Sequence, residues 1–291
     1  MTMPSNNNSL WNDEFYANFV TDAEFAAYET SVSRQLCRVF QVPQNSGKVA
    51  QVPIWGQGTA ELIADEAAAS VRNTTSTQAL ITLKEHVYYS QVTDMLRDSA
   101  YGDVMAQLAE ISGRAIGESL DTMAFGEFEN FSSDIGSTST ELTSELILKA
   151  AATLRSRKVM GPYYAVVHPN QAFYLKKTLT QVLPYTQATG IANPSNVGNQ
   201  ILVSGVIGSI GGVTVVESPL VEAGATTGGA TTYVAGVFAP TALGIAERGG
   251  ISLNTLYLPA NRATDMSVVA VAGAKVLQST HGVAITADGI L

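Results

Sequence analysis

YGDVMAQLAEISGRAIGESLDTMAF, residues Tyr101–Phe125, carries apolar side chains at Val104, Met105, Leu108, Ile111, Ala115, Ile116, Leu120, Met123 and Ala124. This three-to-four spacing predicts one long amphipathic helix, roughly 35 Å from end to end at about 1.5 Å per residue. Asp98, Ser99 and Asp103 supply capping oxygens and negative charge at its start, where unpaired amides carry the positive end of the dipole. Gly126 stands where a C-terminal stop is expected. Gln107, Glu110, Arg114, Glu118 and Asp121 line the opposite side, so a single buried stripe is predicted. Gly113 and Gly117 interrupt the middle, each at about 1 kcal/mol relative to Ala. Either something packs closely there or the rod bends.

Working outward toward the N-terminus, Leu10–Phe40 reads as a helical arm with Trp11, Phe15, Phe19, Phe25, Tyr28, Val32 and Leu36 as its apolar members. Lys48–Ile54 (KVAQVPI) and Leu80–Val92 (LITLKEHVYYSQV) alternate, which predicts a long hairpin. Its far end, Trp55–Gln78, holds Gly56, Gly58, Glu61, Asp65, Glu66 and Arg72 without the apolar periodicity of a core. A tip of that kind lies either in solvent or on another molecule.

Toward the C-terminus, Glu127–Thr140 (EFENFSSDIGSTST) reads as a linker containing a domain boundary. Glu141–Lys158 is a second predicted helix, with Leu142, Leu146, Ile147, Ala150, Ala151 and Leu154 as its stripe. Arg155, Arg157 and Lys158 fall in its last turn, where cations suit the dipole, and Gly161-Pro162 stops it. Tyr163–Val167 is a short strand, and Pro169 opens the helix PNQAFYLKKTLTQVL, a position with no need of an amide hydrogen. The remainder is β-prone, with runs at 200–204, 206–210, 213–217, 232–238, 242–248, 251–258, 267–277 and 283–287.

Composition narrows the function. Hydrophobic residues make up 46% of the 291, ample for a core, while charged residues reach only 14% where about 25% is usual. A surface so poor in charge implies burial by self-association. The net charge of −9 and the lack of Lys/Arg clusters argue against a dedicated nucleic-acid binder. Cys37 is the single cysteine, so no disulfide framework exists within the chain. MTMPSNNNSL lacks a signal-peptide pattern, which predicts a cytosolic product. The uncharged run from Thr178 to Val216 is broken by Pro184, Pro194 and several Asn and Gly, so it is no membrane span. It suits either loops and strands that meet neighbouring subunits or a poorly charged buried sheet.

Catalytic and metal-binding patterns are weak. His86 sits inside an alternating strand, His168 before a helix-opening proline and His281 in a turn-like STHG. No G-x-S-x-G elbow accompanies them, and no Cys/His cluster has metal-ligand spacing. Gly205, Gly208 and Gly211 imitate a phosphate loop, but a strand follows where a helix N-terminus is needed. No enzyme activity, cofactor or metal is therefore expected.

The order of parts resembles a known family. An N-terminal helical arm, a long hairpin with an extended loop, a long helix, the unit ELILKAAATLRSRKVMGPYYAVVHPNQAFYLKK, the turn GVIGSIGGVTVVES and the final VVAVAGAKVLQSTHGVAITAD are similar to the major capsid protein of tailed bacteriophages. The most specific texts are AVVHPNQAFYL and IGGVTVVE. This resemblance implies an α+β subunit: an arm at 1–46, an extended hairpin loop at 47–80, a peripheral domain at 81–131 and 255–291, and an axial domain at 132–254. It also implies a virion shell of pentamers and hexamers around double-stranded DNA that is not bound by sequence. Assembly in the host bacterial cytoplasm with a separate scaffolding protein and a portal is expected, and no membrane contact.

Three expectations follow for particular residues. Glu61, Asp65, Glu66 and Arg72 are expected to touch a neighbouring subunit's long helix or sheet, with Trp55 as an apolar anchor. Gly113 and Gly117 are expected to let the long helix bend between assembly states, and Ala at both to stabilise the subunit. The rivals are an encapsulin-type compartment shell, a surface-layer or adhesive protein, and a small hydrolase using His168.

Overall fold

The computed structural model describes residues 8–56, 58, 60–63, 65, 70–71, 73, 76–99, 104–181, 208–221 and 232–289. In chain order the elements are α1 (Asn8–Thr30), α2 (Ser33–Leu36), β1 (Arg38–Gln41), β2 (Val49–Trp55), β3 (Ser76–Thr82), β4 (Lys84–Thr93), α3 (Asp94–Ser99) and α4 (Val104–Phe125). There follow β5 (Asp134–Glu141), α5 (Ser144–Ser156), β6 (Tyr163–Val167), α6 (Pro169–Gln181), β7 (Ser209–Ile210), β8 (Val213–Glu217), β9 (Thr232–Phe238), β10 (Leu243–Leu258), β11 (Ala263–Val276) and β12 (Gly282–Asp288). The architecture is α+β, as the sequence implies.

Three sheets organise these elements. A four-stranded sheet runs β1-β10-β11-β4, a six-stranded sheet β5-β12-β9-β6-β8-β7, and β2 pairs with β3 alone. Alternation along β11 aims Met266, Val268, Ala270 and Ala272 at one face of the first sheet, where Met105, Ile116 and Leu120 of α4 meet them. Phe19, Ala23 and Ala27 of α1 join the same cluster. α4 and α1 thus lie side by side on one face of the sheet, α4 over β11 and β4 and α1 over β10. On the second sheet α5 lays Ile147, Ala150 and Leu154 over Ala165, Ala235, Val237 and Ile285.

The two units are joined where α4 ends. Gly126 does not stop the chain's helical course; a 3-10 turn, Gly126–Asn130, carries on from Phe125. Phe125, Phe128, Phe131 and Phe238 gather there, with Phe128 at ring-centroid distances of 5.5, 5.8 and 5.5 Å from Phe125, Phe131 and Phe238. A Cβ at Gly236 would come within 2.7 Å of the Phe128 ring, so this strand residue is kept bare to admit it.

The long helix differs from its expected burial in one respect that matters. α1 covers a second side of it, so the residues of α4 that face α1 are buried as well as its sheet stripe. Asp121, expected on the polar face, is 1% exposed, while Ile111, expected in the stripe, is exposed. Asp121 accepts hydrogen bonds from Ser31 Oγ at 2.7 Å, Ser33 Oγ at 2.6 Å, Val32 N at 2.8 Å and Ser33 N at 3.1 Å. A carboxylate from one helix therefore caps the start of another, α2, and fixes the turn between arm helices.

Gly113 and Gly117 acquire a packing role in the same layer. A Cβ at Gly113 would collide with the Ala23 carbonyl oxygen and lie 2.9 Å from Ala26 Cβ, and one at Gly117 would lie 2.9 Å from the Ala27 carbonyl oxygen. The expectation that Ala at both would stabilise the subunit is corrected accordingly. The obstacle is backbone, which cannot rotate aside, and overpacking of this kind costs about 1–3 kcal/mol. That exceeds the propensity gain of about 1 kcal/mol. Gly113→Ala is expected to lower the thermal midpoint of the subunit; an unchanged or raised midpoint in a calorimeter would mean that α1 slides off at no cost.

Other differences have local causes. The arm is not helical to Phe40: Arg38–Gln41 pairs in parallel with Gly244–Glu247. The run Leu80–Val92 is divided at Leu83, which is buried at the hairpin root, so β3 and β4 serve different sheets. The Ser/Thr-rich linker becomes β5 from Asp134, held by Asp134 Oδ2 accepting from Thr286 Oγ1 at 3.0 Å. Runs 242–248 and 251–258 are one strand, β10, with a bulge between Arg248 and Ser252. The division between units also moves. β10 lies in the four-stranded sheet from Leu243, whereas β12, expected to complete that sheet, pairs with β9 and β5 in the other. The turn Gly211-Gly212, both at positive φ, closes β7 onto β8 as the paired glycines demand. Runs 200–204 and most of Thr178–Val216 lie outside the described residues.

Candidate assembly interface

A two-stranded sheet on its own is marginal in water, so a projecting hairpin needs a footing. β2 and β3 find one at their root, where Ile81 and Leu83 bury beside Ala246 with Val52 and Val271 packed on them. The Gly47 carbonyl accepts a hydrogen bond from Arg248 Nη2, and the Lys48 carbonyl accepts one from Leu83 N at 2.9 Å. Beyond the root this cover ends. Trp55, at the end of β2, is 66% exposed, and Glu61, Leu62, Ile63, Asp65 and Val71 are exposed on the loop. Glu61 accepts from Ser70 Oγ, a contact across the loop. Trp55, Glu61 and Asp65 thus share one projection, while Glu66 and Arg72 lie outside the described residues.

Leu62, Ile63 and Val71 were not among the expected contact residues. Their signal was present: they are the bulky aliphatics of Trp55–Gln78, set among Ala, Thr and acidic residues, with no apolar partners in sequence. A second exposed surface is the helix-free face of the four-stranded sheet. Val87, Tyr89 and Leu256 stand open there, and Asp265 accepts from Tyr89 Oη at 2.6 Å and from Gln91 Nε2 at 2.7 Å.

Where β2 ends, a cleft of about 630 Å³ separates Ile54 and Trp55 from the turn that begins at Leu277, with Arg157 beside it. Two cations at the C-terminal end of α5 reach other loops. Arg157 donates from Nη1 to the Thr280 carbonyl at 3.0 Å and from Nη2 to Ser133 Oγ, and Arg155 Nη2 donates to the Gly211 carbonyl at 2.6 Å.

The three histidines each have a structural contact. His86 Nδ1 lies 2.7 Å from Ser119 Oγ on α4, and His281 Nδ1 lies 2.8 Å from Thr241 Oγ1. His168 stacks on Tyr233 with centroids 3.7 Å apart, and its Nδ1 accepts from Asn170 N at 3.2 Å at the start of α6. Burial lowers the pKa of all three from the ordinary imidazole value, with the Lys84 charge adding to the effect at His86. Burial, aided by Asp121, pushes the Cys37 thiol up to about 12, the opposite of nucleophile activation. Among the described residues no group of three or more His, Cys, Asp or Glu converges as a metal site, and no helix is long and apolar enough to cross a membrane.

Comparison with known proteins decides the family. A family model described as phage capsid protein matches residues 59–285. The chain belongs to the phage capsid protein family. The match runs from the hairpin loop through α4 and both large sheets into β12. No curated protein matches the sequence. Among solved structures, the capsid of Ralstonia phage GP4 has a TM-score of 0.68 at 11% identity, over 90% of this chain and 92% of that one. The capsid structure of cyanophage P-SCSP1u gives 0.66 at 15%, covering 88% of each chain. A virus-like particle from Pyrococcus furiosus gives 0.58 at 12%, over 94% of this capsid protein and 99% of that chain. At such identities the likeness carries the fold alone.

Proposed function

We propose that this capsid protein assembles with itself, as pentamers and hexamers, into the icosahedral shell of a tailed phage, enclosing double-stranded DNA without reading its sequence. It would do so in the host bacterial cytoplasm, with a separate scaffolding protein and a portal as partners. The observation that carries the reading is the hairpin: on a capsid fold, a loop with exposed Trp55, Leu62 and Val71 has no core of its own and needs cover from another subunit. A closed shell using one sequence in two ring sizes needs interfaces that are many and individually weak, which suits a surface so poor in charge. Any bend of α4 at Gly113 and Gly117 during maturation would carry α1 along, because the two helices touch at those positions.

The loop supplies the test. Changing Glu61, Asp65 and Glu66 together to Lys is expected to abolish shells in negative-stain images while leaving a folded subunit by circular dichroism; normal shells from that variant would remove the loop from the interface. A dispersed subunit from the unmodified chain in every condition would overturn the shell reading itself. The likeness to a virus-like particle keeps an encapsulin-type compartment as the second reading. Nuclease-protected genomic DNA in native particles favours the phage shell, and an enclosed enzyme favours the compartment.

A further inference from the structure

The cleft beside Trp55 has features that a structural gap does not need. Its walls are apolar at Ile54, Trp55 and Leu277. Arg157, at its side, donates to Ser132 Oγ at 3.4 Å, Ser133 Oγ and the Thr280 carbonyl, all uncharged oxygens. No described carboxylate pairs with it. Gln278, also on the lining, has its Oε1 buried without a hydrogen-bond partner. The site therefore offers a cation with no counter-charge among the described residues, and an exposed indole. Its complement is a short backbone segment with carboxylates and bulky aliphatic side chains.

The chain carries such a segment on its exposed loop, where Glu61, Leu62, Ile63 and Asp65 combine two carboxylates with two aliphatics. We infer that the cleft receives residues Glu61–Asp65 from the loop of a second copy of this chain, carboxylate toward Arg157 and Leu62 or Ile63 against Trp55 and Leu277. This rests on the shell reading and names the receptor for its loop. Trp55 acts as an anchor by forming the wall on the receiving subunit. Because the tip and the cleft are different surfaces, the contact is head-to-tail, the type that closes rings.

Cysteine pairing tests it in assembled particles. Subunits with Leu62→Cys and subunits with Thr280→Cys are co-assembled and oxidised, then run on a non-reducing gel. Thr280 is exposed and offers Arg157 only its backbone carbonyl, so the substitution leaves that bond in place. The native Cys37 is buried with its thiol held protonated, so it does not compete. The expected result is a disulfide-linked dimer from mixed particles and monomers alone from either single variant. Particles that form normally without the mixed dimer would overturn the inference and leave the shell reading intact. A chain carrying both changes that links within itself, migrating as a compact monomer, would also overturn it, since the loop then fills its own cleft. Failure of the unmodified chain to form particles would remove the shell reading and the inference together.

Discussion

Phe128→Ala is expected to lower the stability of the subunit by about 3–5 kcal/mol, the usual range for emptying a fully buried aromatic site. Phe128 is 0% exposed, touches three other phenylalanine rings, and sits on the turn that passes the chain from α4 to the second sheet. Two costs combine. The transfer energy of the ring is lost, and the cavity cannot collapse, because Gly236 beneath it has no side chain to follow. Against a total of about 5–15 kcal/mol for a typical domain, the loss is a large fraction. Urea unfolding followed by tryptophan fluorescence measures it. A loss under about 1 kcal/mol would show that the aromatic cluster is not the joint between the two units.

Asp121→Ala is expected to destabilise by a similar amount, on the order of 3–5 kcal/mol, for an electrostatic reason. Hydrogen bonds to a charged group contribute about 1.5–3 kcal/mol each, and removing the carboxylate leaves two hydroxyls and two backbone amides to find partners. The amides of Val32 and Ser33 have no alternative acceptor as good, since they start a helix whose free N–H groups face the lost charge. Asp121→Asn discriminates. The hydroxyls of Ser31 and Ser33 can turn to accept from the new amide, but the backbone N–H groups cannot, so Asn should fall between wild type and Ala. If Ala and Asn both match wild type in proteolytic release of the arm, the carboxylate is not its anchor.

Most of the fold was legible because its elements follow strong periodic patterns. Most of the stripe of α4, the alternation of β4 and the Pro169 start of α6 are local facts of the sequence, and the structure repeats them. The misses occur where a tertiary partner decides. Nothing near Asp121 indicates that α1 will cover it, and a charged residue at a polar-face position reads as solvated. Gly113 and Gly117 were ambiguous by nature, since the same small residue serves a bend or a close approach and only the carbonyl groups of α1 distinguish them. Arg38–Gln41 continues a helical pattern and becomes a strand because β10 offers an open edge. The candidate loop was legible in part: its acidic residues and Trp55 stand out by charge and size, whereas Leu62 and Val71 look ordinary as isolated aliphatics until no core is found to hold them.

The bulge in β10 has a consequence of its own. Glu247 is nearly buried and pairs with Arg34 of the arm at 2.8 Å, while the next residue, Arg248, holds the hairpin root through Gly47. Three residues later the chain receives Glu24 of α1, whose Oε1 accepts from Ile251 N at 3.0 Å. Neighbouring residues on a strand point to opposite faces, so arm and hairpin are fastened on opposite sides of one peptide unit. The two appendages are levers on a common pivot: a tug that shifts Glu247 necessarily moves the backbone that carries Arg248. One appendage cannot be released without disturbing the seat of the other.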